Sequence, residues 1–394
     1  MIGVQQVGIS NAICMQSILT AAGYNPDSLR TLLGVRSIDD VGLLNHAASV
    51  ARLEGHKTPA AVLVRLFFLE ESEPLLRVQR AVGAAAVDQL RRAGWLRVRN
   101  AGRRSGVTAR VRIDPIGERH LVSDLRFRSM DLKALRLPSG DEVYPPSSDS
   151  MLLNEVVRAH RRERVLDLCT GSGIQALAQA GGAGAVVAVD INPRAAAIAR
   201  LNAEINCCEN IDVRLGDLYQ PVRGERFDLI LANPPFVTSP YEKAPSFHSG
   251  GPTGDRVLRR VIRGWDKYLE AEGRAFAVSH VGRRRGEALE DVARSWFKGF
   301  GGGALVLICE TGSAVDLAAA QALFALRNGL TSYRREVERW HAYLRRHRIE
   351  SISLILIAAR KDARHKVEVV DAQPRVLPLP LTPTPAAKIE QWFV

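Results

Sequence analysis

Short aliphatic runs alternate with longer helical segments through the second part of the chain. Each run is bounded by Gly, Pro, Asp or Asn, and the segments between the runs carry apolar residues at helical spacing. Strands that alternate with helices are typical of a parallel, doubly wound α/β sheet. The pattern therefore predicts a Rossmann-like sheet of seven strands, at 164–170, 186–191, 211–217, 228–235, 273–280, 304–310 and 352–360.

The first part of the chain has a different pattern, with helices followed by a short sheet. Residues 58–72 begin with a Thr cap and a Pro and continue as a largely buried helix. Residues 78–99 predict one helix that ends near Gly94 and passes into a strand, and residues 109–127 alternate like a hairpin. The order helix, helix, strand, wing predicts a smaller, mainly helical, winged-helix-like domain.

Changes in composition divide the chain into segments. A stretch rich in Pro, Ser and Gly separates the two patterns and predicts a hinge, and the Pro-rich C-terminus predicts an extended surface tail. We expect an N-terminal domain at 1–136, a hinge and substrate-entrance segment at 137–155, a sheet domain at 156–370 with a helical insertion at 313–348, and a tail at 371–394.

The composition is that of a soluble globular protein, with 394 residues of which 46% are hydrophobic and 24% charged. No apolar run reaches the ~18 residues of a membrane helix. The N-terminus lacks the basic region of a secretory signal, so we expect a cytoplasmic protein. The five cysteines form no CxxC pair, which argues against a zinc site and a disulfide framework. No metal is expected.

The net charge of +12 is concentrated near the N-terminus, where residues 1–140 hold 20 Lys and Arg against 12 Asp and Glu. Residues 91–112 contain eight arginines and no acidic residue. Such a patch favours a nucleic acid or an acidic protein as partner. A solvated basic hairpin without a partner is equally compatible with the sequence.

A candidate ligand-binding turn follows the first sheet strand. The strand delivers Asp167, and a Gly171-Ser172-Gly173 turn then opens a helix. Glycines let the backbone approach a ligand closely, and a helix N-terminus supplies unpaired N–H groups. Taken alone, the turn is as compatible with a plain tight turn as with a nucleotide site.

The spacing of two further acids favours a ligand. Asp190 ends the second strand, where a carboxylate can accept both hydroxyls of an adenosine ribose, and Asp217 follows the third, within reach of an adenine amine. Strand-end caps are the alternative. No Gly-Lys-Thr/Ser phosphate clamp is present, so the predicted cofactor is S-adenosylmethionine (SAM) rather than NAD or ATP. The predicted cofactor site comprises Asp167, Cys169, Thr170, Gly171, Gly173, Asp190, Ile191, Asp217, Leu218 and Asn233.

The fourth strand ends in Asn233-Pro234-Pro235-Phe236, which are the predicted catalytic residues. The Asn233 side-chain carbonyl and the Pro234 backbone carbonyl can accept the two hydrogens of an –NH2 group. These bonds would hold the nitrogen lone pair toward the methyl donor and stabilise the developing positive charge. The two prolines stiffen the loop, and Phe236 offers a flat face to a planar target.

These motifs closely resemble the class I SAM-dependent N-methyltransferases with an (N/D)PP(Y/F) motif. That group includes release-factor glutamine methyltransferases, ribosomal RNA guanine-N2 methyltransferases and DNA adenine-N6 methyltransferases, with the methyltransferase small domain. The resemblance implies that residues 143–153, with Asp149, lie over the cofactor and target pocket. It extends over most of the chain to a bacterial subgroup with its own N-terminal region.

The chain departs from those relatives at two places. Release-factor enzymes typically have Tyr at the position of Phe236, and the subgroup often has Tyr-Arg-Asp where this chain has 247–249. Both changes count against assigning glutamine as the acceptor from the motif alone. Tyr144, Asp149, Phe236, Tyr241 and His248 are the candidate substrate-binding residues, with loop packing as the alternative for Tyr241 and simple exposure for His248.

Three functions are compatible with these features. The first is an N-methyltransferase of RNA or of a translation-related protein, with the basic N-terminal domain as docking element. The second is a small-molecule N-methyltransferase, with the N-terminal domain as a lid or a homodimer surface. The third is a SAM-sensing DNA-binding regulator, against which the intact Asn233–Phe236 motif argues.

Overall fold

The computed structural model describes residues 9–42, 45–99, 105–126, 141–236, 238–241, 249–362, 366–373 and 384–393. The α-helices of these residues are α1 Ile9–Ala21, α2 Pro26–Leu33, α3 His46–Arg52, α4 Pro59–Leu63, α5 Leu75–Val82, α6 Ala84–Arg92, α7 Ser148–Val156, α8 Ile174–Ala180, α9 Pro193–Ile205, α10 Arg256–Tyr268, α11 Leu289–Trp296, α12 Ala314–Ala322, α13 Leu330–Arg346 and α14 Pro385–Phe393. The strands are β1 Glu73–Pro74, β2 Leu96–Arg99, β3 Gly106–Ala109, β4 Arg112–Ile116, β5 Arg119–Ser123, β6 Arg164–Leu168, β7 Ala185–Asp190, β8 Ile211–Leu215, β9 Phe227–Ala232, β10 Leu269–Arg284, β11 Gly303–Ser313, β12 Ile349–Arg360 and β13 Val367–Asp371.

The N-terminal elements surround one apolar core, which runs from Met15 to Val122 and also takes in Leu201 and Ile205 of α9. Strands β1, β3 and β2 form a small antiparallel sheet in that order. The prediction of one continuous helix from residue 78 to near Gly94 is wrong in one respect. The helix is broken at Gly83, whose φ of 92° is a left-handed conformation that interrupts helical geometry. The predicted hairpin is present as β4 and β5.

Asn202 of α9 and Asn206, which follows the last residue of α9, attach this hairpin to the second part of the chain. The Asn202 side chain accepts from Val122 N and donates to Val122 O, both at 2.8 Å, and the Asn206 side chain forms the same pair with His120 at 2.9 and 2.8 Å. Residues four apart share one face of a helix, and alternate residues share one edge of a strand. The two amides therefore complete the hydrogen bonding of β5 as a neighbouring strand would.

The large sheet has eight strands in the order β13-β11-β12-β10-β9-β6-β7-β8. All seven predicted strands are present, but the predicted count misses β13, an edge strand that pairs in parallel with β11. The sheet is mixed rather than parallel throughout, because β12 runs antiparallel to both β10 and β11. Strands β9, β6, β7 and β8 are parallel neighbours, so their carboxyl ends meet at one edge of the sheet.

Part of the predicted C-terminal tail is helical rather than extended, and residues 374–383, which hold four of its five prolines, lie outside the described part of the chain. Residues 367–371 form β13, and α14 packs on the sheet with Ile389 buried and the Phe393 ring 5.6 Å from the Phe276 ring. The apolar residues of α14 recur at helical spacing, and their burial favours the helix that begins at Pro385. Between β11 and β12, helices α12 and α13 occupy the stretch predicted as a helical insertion.

The basic segment 91–112 is less uniformly exposed than predicted. Arg112 is 2% exposed and forms a bidentate ion pair with Asp114, in which the shorter distance from nitrogen to oxygen is 2.7 Å. Arg91 and Arg92 both pair with Asp88. Residues 100–104 lie outside the described part of the chain. Among the described residues, no helix is long and apolar enough to cross a bilayer.

Candidate active site

Three acidic side chains meet at the carboxyl edge of the parallel strands. Asp167 lies in β6, Asp190 ends β7, and Asp217 follows β8 by two residues. The thiol of Cys169 has a pKa well above its usual value because it is buried, and the charges of Asp190, Asp167 and Asp217 add to the effect. All three carboxyl groups are therefore close enough to the turn after β6 to influence Cys169.

The turn itself depends on its glycines. Gly171 and Gly173 have φ of 56° and 83°, in the left-handed region that favours glycine. A Cβ on Gly173 would lie 3.2 Å from the Cβ of Ala199 in α9. Gly171 N donates at 2.9 Å to Asp190, whose other oxygen accepts from Asn192 N at 2.8 Å. Asp190, at the end of β7, thus fixes the turn that follows β6.

Asp167 is fully buried and only half satisfied. One oxygen accepts from Thr170 Oγ1 at 2.5 Å and from Ala176 N at 3.1 Å. The other oxygen has no hydrogen-bond partner among the described residues. Burial raises the pKa of Asp167 to about 7, against the opposing effect of the bonds from Thr170 and Ala176. A cationic amino group is the kind of partner that this oxygen lacks.

The far end of the cofactor region combines apolar and charged side chains. Ile191 is 49% exposed beside Asp190, whereas Leu218 is buried with a φ of 49°. One carboxylate oxygen of Asp217 already accepts a hydrogen bond from Arg260 of α10, at 2.7 Å. Sequence reasoning missed Arg260, since a single arginine in a basic helix carries no signal of its partner.

Asn233 is held in one orientation by α7. Its Nδ2 donates to Asp149 Oδ2 at 2.7 Å and lies 3.2 Å from Ser150 Oγ. A carboxylate only accepts, so the nitrogen of the amide must face Asp149 and the oxygen must face away. That oxygen, Asn233 Oδ1, is buried without a hydrogen-bond partner in the described part of the chain. Asp149 itself is 6% exposed and also accepts from Ser147.

Phe236 lies against a histidine that the sequence did not single out. Its ring centroid is 4.6 Å from that of His280 on β10, at an interplanar angle of 36°. Burial lowers the pKa of His280, while the charges of Asp149 and Glu310 raise it. The effect of burial is the larger one, so the pKa of His280 lies below its usual value. A histidine near the carboxyl end of a predicted strand was the available signal for this residue.

Two glycines let the loop at 249–255 pack onto the backbone of the motif. A Cβ on Gly250 would lie 2.6 Å from Phe236 Cα, and a Cβ on Gly254 would lie 2.5 Å from His280 O and 2.8 Å from Phe236 O. Such distances leave no room for a side chain. These glycines therefore allow the loop to lie directly against the backbone of Phe236.

The remaining substrate candidates lie in different places. The Tyr241 hydroxyl donates to Glu336 of α13 and lies 3.2 Å from Arg339 Nη1, so this residue joins the motif loop to the helical insertion. Tyr144 is 53% exposed in the segment before α7. His248 lies outside the described residues. Within the described ranges, no group of His, Cys, Asp or Glu could hold a metal ion.

A strand-end carboxylate series, a glycine turn and an Asn-Pro-Pro-Phe motif on this sheet define a class I SAM-dependent methyltransferase. The chain matches the methyltransferase small domain family at residues 147–296 and a domain of unknown function (DUF7059) at residues 21–109. It is 37% identical over 150 residues to a putative protein N5-glutamine methyltransferase of Methanocaldococcus jannaschii, covering 36% of this chain and 75% of that protein.

Two further relatives carry related names. A release factor glutamine methyltransferase of Thermodesulfovibrio yellowstonii is 26% identical, over 48% of this chain and 71% of that protein. A ribosomal protein uL3 glutamine methyltransferase of Bradyrhizobium diazoefficiens is 35% identical, over 34% of this chain and 46% of that protein. The chain therefore belongs to the release-factor-glutamine-methyltransferase-like class I enzymes, and it is a SAM-dependent N-methyltransferase.

Proposed function

We propose that this enzyme methylates the side-chain amide nitrogen of a glutamine in a translation-related protein. The observation that carries the proposal is the buried, unpartnered Oδ1 of Asn233. Leaving a buried carbonyl without a donor costs about 1–3 kcal/mol, and an –NH2 group of the acceptor would satisfy it. The names of the relatives favour a protein glutamine over the other –NH2 groups that share this geometry.

Asp149 and Asn233 together support the chemistry. The amide nitrogen of glutamine is a weak nucleophile because its lone pair is delocalised into the carbonyl. Asn233 Oδ1 and the Pro234 carbonyl are suited to accept its two hydrogens and to orient the lone pair. The carboxylate of Asp149 polarises the Asn233 amide through the 2.7 Å bond, which makes Oδ1 a stronger acceptor as positive charge develops on the acceptor nitrogen.

The cofactor roles follow from the same contacts. Bound SAM supplies an electrophilic methyl group. We propose that Asp190 accepts the ribose hydroxyls, that the exposed Ile191 and the buried Leu218 flank the adenine, and that Asp217 reaches its amine. The orphan oxygen of Asp167 suits the amino group of the cofactor. The remaining turn residues Cys169, Thr170, Gly171 and Gly173 shape the backbone that lies against it.

We propose a winged-helix-like arrangement for the N-terminal domain, within the boundaries 1–136. The order α4, β1, α5, α6, β2, β3, with β3 between β1 and β2, supports it. The burial of Arg112 and the pairing of Arg91 and Arg92 with Asp88 weaken the case for a nucleic acid on this domain. Charge that is already compensated contributes little to phosphate binding, although Arg97 and Arg99 of β2 are exposed.

Methyl transfer from tritiated SAM to purified release factor and ribosomal protein uL3, followed by mass spectrometry of the peptides, tests the proposal. We expect methylglutamine in at least one of them. Asn233→Ala should abolish turnover and leave SAM binding unchanged, whereas Asp190→Ala should raise the SAM dissociation constant. Label that appears only in RNA or in small molecules from a lysate would refute the glutamine assignment and support one of the other acceptors.

A further inference from the structure

Exposed apolar side chains are concentrated on the helical insertion. Eight large hydrophobic side chains are exposed among the described residues, and four of them, Val315, Leu323, Leu326 and Leu330, lie between 315 and 330. Their exposed fractions are 54%, 37%, 43% and 66%. Single exposed leucines are normal on a soluble protein, but a cluster within one short segment points to an interaction surface.

The leucines occupy the tip where the two helices of the insertion connect. Leu323 and Leu326 are three residues apart on the 3-10 helix Leu323–Asn328, and this spacing places both on one side. Leu330 begins α13 immediately after Gly329. The inner face of the insertion is a separate cluster around Ala318, Trp340 and Leu344, so the exposed leucines are not needed to hold the helices on the sheet.

The insertion also contacts the loop that leaves the catalytic motif. Tyr241, five residues after Phe236, bonds Glu336 through its hydroxyl and lies under Arg339, whose guanidinium carbon is 5.4 Å from the ring centroid. Glu336 is 7% exposed. Along the helix axis, Leu330 is only about 9 Å from Glu336. A protein that covers the leucines would therefore lie next to Tyr241 and the loop that follows the catalytic motif.

The charge of α13 indicates the kind of partner. Its exposed face carries Glu338 and several arginines, and the other glutamate of the helix, Glu336, is buried against Tyr241. The exposed arginines of the helix are Arg334, Arg335, Arg339, Arg345 and Arg346, of which Arg339 pairs with Glu336 at 3.3 Å. Such a face attracts acidic segments and speeds their association.

We propose that the leucine tip and the arginine face of α13 form the docking surface for the acceptor protein, which contributes apolar side chains flanked by acidic residues beside its methylated glutamine. This inference rests on the proposed function, since it names where that substrate binds. The insertion would then select the protein, while Asn233 and its neighbours recognise only the –NH2 group.

The test compares three variants on three acceptors. Leu326→Glu/Leu330→Glu and Arg334→Glu/Arg335→Glu alter the surface, and Leu76→Glu is the matched control because Leu76, in the N-terminal domain, is 65% exposed. The acceptors are release factor, ribosomal protein uL3 and a short peptide with the same glutamine. We expect both surface variants to lower kcat/KM for the methylated protein at least ~10-fold, mainly through KM, and to leave the peptide unchanged. The arginine variant should also lose most of the salt dependence.

The possible results separate the two proposals. Normal protein methylation by both surface variants, or a loss that occurs with Leu76→Glu instead, would overturn the docking surface while leaving the proposed function intact. A change from dimer to monomer in light scattering of the leucine variant, with methylation unaffected, would show a surface between two copies of the chain and also overturn it. A wild-type enzyme that methylates none of the three acceptors would refute the proposed function and this inference with it.

Discussion

The Nδ2 atom of Asn233 lies 2.7 Å from Oδ2 of Asp149, and this bond determines which end of the amide faces the acceptor. Without it, the amide can rotate and present its nitrogen, which would repel an –NH2 group. The spacing of Asp149 and Asn233 along the chain does not indicate that they are in contact, because 84 residues separate them.

Removal of the Asp149 carboxyl group should impair turnover rather than cofactor binding. We expect Asp149→Ala to lower kcat by about 10²–10³-fold, as loss of one oriented hydrogen bond does in other active sites. Asp149→Asn keeps an oxygen that can accept from Asn233 and removes only the charge, so it should retain more activity. Steady-state kinetics and SAM titration measure both. Equal activity of Asp149→Ala and wild type would show that the bond does not orient Asn233.

Binding of the cofactor should release a proton below neutral pH. The pKa of Asp167 is raised from 3.8 to about 7, so the folded protein keeps this proton where the unfolded chain has lost it. This carboxyl group therefore favours folding at low pH, and its contribution declines as pH rises from about 4 to about 7. A cationic amino group of the cofactor should favour the ionised form of Asp167 instead. SAM affinity should therefore increase as pH rises toward 7.

Calorimetry in two buffers of different ionisation enthalpy measures that proton. Asp167→Asn is the control, because it cannot titrate and should abolish the extra release near pH 6. Its free energy of unfolding should also vary less between pH 4 and 7 than that of wild type. Identical proton release in both proteins would place the titrating group elsewhere.

A methyl group at Gly254 should disturb the motif loop. Gly254→Ala would place Cβ 2.5 Å from His280 O at a φ of 78°, whereas Gly224→Ala, at a φ of 82°, meets nothing within 4 Å. The control should cost about 1–2 kcal/mol of unfolding free energy, from the left-handed backbone alone. Gly254→Ala should cost more and raise KM for the acceptor, because Phe236 must shift. Thermal unfolding and kinetics distinguish the two variants, and equal behaviour would refute the close approach.

Asn202 should affect both domain attachment and the cofactor turn. Its side chain is fully buried and donates to Ser172 O at 2.8 Å as well as to Val122 O. We expect Asn202→Ala to lower the free energy of unfolding by about 2–4 kcal/mol, because several backbone groups lose their partners. It should also weaken SAM binding, since Ser172 lies within the turn. Asn206→Ala loses the bonds to His120 but does not touch the turn, so its SAM affinity should stay normal.

Much of the sheet was predictable because strand identity depends on local patterns. Seven aliphatic runs with Gly, Pro or Asp at their ends marked seven strands, and the acids at three of those ends marked the cofactor edge. The eighth strand, 367–371, was missed because it is a short edge strand that only pairs with β11. Helix α14 was missed because prolines dominate the composition before it, whereas the apolar spacing after Pro385 determines the structure.

The residues that the sequence did not reveal act through contacts between distant segments. Asp149 was implied only by resemblance, and Ser150, His280 and Arg260 have no local motif that links them to Asn233, Phe236 or Asp217. The burial of Arg112 was not foreseen for the same reason. A run of arginines indicates charge, but whether one of them is buried depends on an acid such as Asp114 and on the carbonyl of Phe68, 2.6 Å from its guanidinium.

The pairing of β5 with the side chains of Asn202 and Asn206 has a consequence for the history of this enzyme. A catalytic unit cut away before residue 137 would expose Leu201 and Ile205, which belong to the N-terminal core, and would remove both hydrogen bonds between Asn202 and Val122. The two halves are therefore not independent domains that recombination could exchange freely. An ancestor that acquired the N-terminal half would have had to change α9 at the same time, so the two modules are expected to be inherited together.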